Sequence, residues 1–207
     1  MSYLAEKLYL ILLKIPAAII ALTVLSFGKS LCAYLLGDKS QKYSGKLTLM
    51  PNEHLDPLGF IFMLLFGIGW GKNNPVHSEK FKIKYGMALY YFSAPLANII
   101  TAVVFAFVLK FIYFNFRYLQ TLSSIITVII SFNASMAVIG LIPIPPLSGY
   151  YILREFLPYN IRLKLSSYDR YFMIIFMILL ITNAFSIIFR PAYAVIMTLI
   201  FKLTGLA

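Results

Sequence analysis

The chain has 207 residues, 61% of them hydrophobic and 12% charged, with a mean hydropathy of +0.85. So little charge cannot cover a water-soluble domain of this size, and so much apolar side chain excludes a disordered one. Eighteen Lys and Arg against seven Asp and Glu give a net charge of +11, but the basic residues sit in polar gaps between apolar runs, which fits loops near lipid headgroups and excludes a nucleic-acid-binding face.

The first apolar run covers residues 8–37. Lys14 lies near enough to its end to snorkel, whereas Lys29 lies deeper. No small-residue cleavage site follows a short apolar core, so the run is read as a retained span rather than a removed signal peptide. Gly37-Asp38 ends it. In the polar stretch 39–52, the alternation of Lys46-Leu47-Thr48-Leu49-Met50 predicts a short strand or extended segment at the membrane surface. The second run, 57–70, is short for a span and glycine-rich, which fits a tilted helix or a re-entrant element. After a polar loop at 72–84, the third run covers 85–114 and the fourth 122–147, closed by Pro143, Pro145 and Pro146. The loop 148–167 carries Arg154, Arg162 and Lys164. A fifth run covers 171–189, Arg190-Pro191 is expected to break it, and a sixth covers 192–201. The expectation is an all-α polytopic membrane protein with five or six transmembrane helices, forming a single membrane-embedded domain over 1–207. Its one cysteine, Cys32, excludes an internal disulfide. Basic residues are read as spread over both sides, which leaves the orientation open.

Three blocks carry a resemblance. The first is Ala33-Tyr34-Leu35-Leu36-Gly37-Asp38, followed by Gly45-Lys46-Leu47-Thr48-Leu49, Pro51, His54-Leu55-Asp56-Pro57 and Gly59. The second is Gly69-Trp70-Gly71-Lys72 with Pro75-Val76. The third is Pro95-Leu96-Ala97-Asn98, then Asn133, then the proline turn from Leu141 to Gly149. In order and spacing these resemble the site-2 proteases, peptidase family M50, and its short bacterial branch in particular. The resemblance covers most of residues 24–153 and leaves 169–207 as C-terminal helices. It implies a site-2-protease-like core in a multi-pass protein of the bacterial cell membrane.

The resemblance also implies where zinc would bind. In the family, the second His of H-E-x-x-H stands nine residues before the Asp of L-G-D. Counted back from Asp38, Lys29 takes that place, Ser26 the Glu and Leu25 the first His. The third ligand, the Asp of L-D-G, corresponds to Ser148, and the Asn before the proline turn to Gly140. Zinc needs three protein ligands with lone pairs, and the Glu deprotonates its bound water. Leu25 has no lone pair, Ser26 is no general base, Lys29 brings positive charge, and Ser148 is a poor neutral ligand. No cofactor is therefore expected, although zinc belongs to the family.

Three readings of Lys29 compete. It snorkels or lines a water-filled remnant of the cleft, it hydrogen-bonds Ser26 and Ser148 to tie two helices together, or it serves as the base of a Ser–Lys dyad. His54 with Asp56 forms an H-x-D pair, more simply read as an interfacial His than as a ligand. Asn98 is read as a helix cap or bridge. His54, Asn98, Asn133, Pro143 and Pro145 make up a candidate groove for a substrate or partner. The leading expectation is a non-catalytic site-2 protease homologue that binds a transmembrane substrate segment or an active membrane protease. The alternatives are an active zinc intramembrane endopeptidase and a small-solute transporter, the last lacking an acidic partner for Lys29.

Overall fold

The computed structural model describes residues 3–206 apart from Asn73, Arg117, Pro146 and Asn183, so Pro146 of the proline turn lies outside the described residues. The chain forms α1 (Tyr3–Leu36), α2 (Ser40–Tyr43), α3 (Pro57–Phe66), α4 (Gly86–Asn115), α5 (Gln120–Leu141), α6 (Ser148–Glu155), α7 (Tyr159–Ile181) and α8 (Ser186–Thr204). Among the described residues there is no strand; the only extended pairing is an isolated antiparallel bridge between Leu55 and Gly71. The short strand or extended segment predicted after the first span does not form: the chain bends at Leu47 and Thr48, and the Met50 N–H donates back to the Thr48 hydroxyl at 3.2 Å. The segment's neighbours are side chains of α1 and α4, with no sheet edge to pair with.

Four stretches are long and apolar enough to cross a bilayer: Ile11–Leu36, Gly86–Asn115, Gln120–Leu141 and Ser186–Thr204. Small residues let them approach closely, as packing in lipid requires. A Cβ on Gly28 of α1 would sit 2.7 Å from Cβ of Ala97 on α4, and Gly140 of α5 lies against Pro95. Ala102, Ala106, Ile126, Ile130, Ala134 and Ile200 close the core between α4, α5 and α8.

These contacts fix the direction of each helix. The α1 C-terminus meets the approach to α4, where the Lys82 N–H donates to the Leu36 carbonyl at 3.1 Å. This end is called the upper face. α4 and α8 run down from it, since Gly205 beyond α8 lies beside Nζ of Lys110 near the lower end of α4. α7 does not cross. Asp169 in its first half bonds Tyr150 of α6, and Phe176 in its second half packs with Ile139 and Ile142 at the upper end of α5.

Two expectations change here. In place of five or six spans, four helices among the described residues are long and apolar enough to cross, because the fifth run is divided between α7, ending at Ile181, and α8, starting at Ser186, and its first part stays at the upper face. The break expected at Arg190-Pro191 is absent, and α8 passes through Pro191. Pro191, the sixth residue of α8, removes the single N–H that would bond the Ile187 carbonyl, a loss that membrane helices tolerate.

The second apolar run is re-entrant. α3 is 10 residues long, about 15 Å, too short to cross. The Asp56 carboxylate caps its start by accepting the Gly59 N–H at 2.9 Å, and Gly67 at φ 72° stops it, donating to the Met63 carbonyl. The chain then doubles back against α3. A Cβ on Gly59 would overlap the Trp70 carbonyl, and the Lys72 N–H donates to the His54 carbonyl at 2.7 Å. Entry and exit therefore lie side by side, packed against the middle of α1.

Candidate functional site

Residues 25–30 of α1 face three environments. Leu25 packs with Ala18, Ala21, Leu22, Met63 and Met136 in an apolar cluster. Ser26, 3% exposed, turns to the base of the re-entrant hairpin, where a Cβ on Gly71 would overlap its hydroxyl and lie 2.8 Å from the His54 carbonyl. Ser30 accepts a hydrogen bond from Asn74 Nδ2 at 3.2 Å.

Lys29 turns to α4. Its Nζ lies 5.9 Å from the ring centroids of both Tyr90 and Tyr91. Tyr91 stacks on Tyr151 of α6 with centroids 4.8 Å apart, and the Arg154 guanidinium sits 4.9 Å over Tyr151. Arg154 also pairs with Asp169 of α7 at 3.5 Å, and the Tyr150 hydroxyl donates to Asp169 at 2.7 Å. Burial, with the hydrogen bond to Asp169, pushes the Tyr150 phenol up to about 12, so it remains a donor. A ladder of cations and aromatic rings thus runs from α1 through α4 and α6 to α7.

Two of the three readings of Lys29, the hydrogen-bonded tie and the Ser–Lys dyad, are corrected by this arrangement. Among the described residues no hydrogen bond joins Lys29 to Ser26 or Ser148, and none pairs Lys29 with a serine for a dyad. Ser26 is occupied by the hairpin base. Ser148 begins α6, a helix that packs chiefly on α4 through Tyr151 and through Phe156, stacked on Tyr85. The tyrosine faces attract an ammonium without requiring a second buried charge.

The H-x-D pair divides its labour. His54 is fully buried, and its Nε2 lies 2.7 Å from the Thr48 carbonyl. A carbonyl only accepts, so Nε2 carries the proton and Nδ1 keeps a lone pair, which has no partner. Burial holds His54 below the usual imidazole range, and the Thr48 bond opposes this only in part, so the ring stays neutral. Asp56 serves as the cap of α3.

The groove set does not gather. Asn98 is fully buried with neither amide atom partnered, so the expected cap or bridge is not made. Asn133 donates to the Ile129 carbonyl of its own helix at 2.9 Å and leaves its oxygen free. Pro143 is exposed and Pro145 buried. One groove, about 370 Å³, lies between α1 and α4 against the segment 49–51 and is lined by Ile19, Thr23, Leu49, Pro51, Thr101 and Val104 among others. None of the five expected groove residues lines it. Thr23, whose buried hydroxyl has no partner, was missed because a threonine in an apolar run gives no signal of its own. Tyr90, Tyr91 and Tyr151 were missed as well; their signal was the doubled tyrosines at Tyr90-Tyr91 and Tyr150-Tyr151.

Among the described residues no three His, Cys, Asp or Glu side chains come together. No protein-family profile matches the chain. Among curated proteins it is 31% identical over 179 residues to the "Putative zinc metalloprotease YwhC" of Bacillus subtilis (strain 168), a match covering 84% of this chain and 82% of the relative. The chain belongs to the site-2-protease-like family. No solved structure matches it. The membership agrees with the helical membrane bundle. It sets the four positions Leu25, Ser26, Lys29 and Ser148 against a relative whose name includes zinc.

Proposed function

We propose that this chain is a non-catalytic member of the site-2-protease-like family that holds a transmembrane segment of a substrate or partner membrane protein. The observation that carries the reading is the donor set at the positions corresponding to the zinc site. Leu25 is half-buried against an apolar cluster, Lys29 points an ammonium at two aromatic faces, and Ser26 and Ser148 are neutral hydroxyls. These residues do not fit a zinc ion, and no proton acceptor stands at Ser26 to activate water. Around them stand the re-entrant hairpin, the buried amides of Asn98 and Asn133, and an apolar groove with Thr23 at its wall. An apolar wall carrying the unpartnered Thr23 hydroxyl suits an apolar inserted segment with a polar group to offer.

The printed name of the relative favours a second reading, an active zinc endopeptidase. Metal analysis of the purified protein, together with a cleavage assay on a transmembrane substrate, separates the two. The expected outcome is less than a tenth of an equivalent of zinc and no cleavage. Stoichiometric zinc with chelator-sensitive cleavage would overturn the proposal.

A further inference from the structure

The fold collects the basic residues that the linear sequence scatters. Of the eighteen Lys and Arg, eleven fall in the two connections of the upper face, between α1 and α4 and between α5 and α8. Five fall at the lower ends, counting Arg117 by its place in the sequence. Both upper connections are shorter than about 60 residues, the range in which Lys and Arg set orientation.

Within the upper face, one patch is built rather than merely basic. The segments 37–43 and 75–85 are fastened together: Asp38 accepts the His77 N–H at 3.0 Å, and Gln41 donates to the Pro75 carbonyl at 2.9 Å. Gly37 at φ 124° lies so close to the Lys80 carbonyl that a Cβ would sit 2.6 Å from it. This junction displays Lys39, Lys42, Lys80, Lys82 and Lys84, all exposed, and among the described residues none of the five makes a salt bridge. Interleaved with them are exposed Tyr43 (84%), Ile83 (51%) and Tyr85 (41%). Apolar and aromatic side chains exposed between unpaired lysines, beside the ends of two membrane spans, match the boundary where acyl chains meet headgroups.

We infer that this patch is a docking surface for the phosphates of anionic lipids, and that it holds the upper face against the cytoplasmic leaflet. The lysines supply charge to the phosphates, while Tyr43 and Ile83 enter the glycerol level and Tyr85, stacked on Phe156, borders them. Among the described residues none of the five lysines is held in a salt bridge, and only Lys84 lies over a ring, that of Tyr85 at 5.3 Å, so their N–H donors are left for lipid oxygens.

The test uses the full chain in nanodiscs of mixed phosphatidylglycerol and phosphatidylcholine, with lipids retained after detergent extraction measured by mass spectrometry. The wild type is expected to retain phosphatidylglycerol preferentially. The K39Q/K42Q/K80Q/K82Q/K84Q variant should lose at least about tenfold of that preference, whereas K14Q/K110Q/K202Q at the lower face should keep it. Inorganic phosphate at equal ionic strength should not displace the lipid. Unchanged preference in the five-site variant, equal loss in the lower-face variant, or displacement by free phosphate would overturn the inference. Circular dichroism and gel filtration confirm that both variants fold. In a Cys32→Ser background, Lys80→Cys should react with an impermeant maleimide in inverted vesicles and not in intact cells; the reverse pattern would overturn the orientation.

Discussion

Asp38 and Asn98 are both fully buried polar residues, and the molecule treats them in opposite ways. Both carboxylate oxygens of Asp38 are engaged, one by the Ser40 hydroxyl and N–H at 2.6 and 3.2 Å, the other by Gln41 and by the His77 N–H. Neither amide atom of Asn98 has a partner. A buried group with all its bonds made belongs to the architecture, whereas one with none is a cost that native structures keep for a reason. The contrast separates the junction that fastens the re-entrant element to the bundle from an interior that leaves a polar group unpaired.

The largest effect is expected at Asp38. Burial alone would raise its carboxyl, but the bonds from His77, Ser40 and Gln41 outweigh burial and hold it at about 2, below the ordinary 3.8. A depressed folded value contributes stability that is complete above the ordinary value. It is lost as pH falls from 3.8 through about 2, and amounts to about 2 kcal/mol. Asp38→Asn should cost about 3 kcal/mol at neutral pH, since an amide NH2 would face the donors of Gln41 and His77. Unfolding in detergent as a function of pH should show the gap between wild type and variant closing over that window. A gap that stays constant would mean Asp38 is not the staple.

The next effect lies between the two regions, at Lys29. Lys29→Met and Tyr91→Leu should each destabilise the bundle and should couple by about 1 kcal/mol in a double-mutant cycle. Lys29→Met and Ser148→Ala should be additive. Coupling to Ser148 without coupling to Tyr91 would restore the hydrogen-bonded tie that the geometry replaces.

The sequence makes the bundle legible because hydropathy reports lipid exposure directly, and the residues of the ordered motifs fall in elements that the fold places together. Gly37-Asp38 and His54 through Gly71 all belong to the junction and hairpin beside α1. What escapes is direction. Runs 171–189 and 192–201 look like two spans, yet only the packing of Phe176 at the upper end of α5 and of Gly205 beside Lys110 shows one of them staying on the same side. The site escapes for a similar reason. Spacing placed Lys29 on a helix face shared with Leu25, but which neighbour met that face was decided by Tyr90 and Tyr91, sixty residues away.

The smallest effect on stability, and the sharpest on function, is expected at Asn98. Leucine is close to asparagine in shape and brings no polar atoms to leave unpaired. Where a structural asparagine would lose bonds on substitution, Asn98 has none to lose within the chain. Asn98→Leu should therefore leave thermal unfolding in detergent within about 0.5 kcal/mol of wild type, or raise it. Photo-crosslinking to a transmembrane peptide bearing a helix-breaking Gly-Pro should fall in the same variant, because the amide would no longer meet bared peptide groups. A large loss of stability would place Asn98 with Asp38 as architecture, and the interior would then be closed rather than kept for a guest.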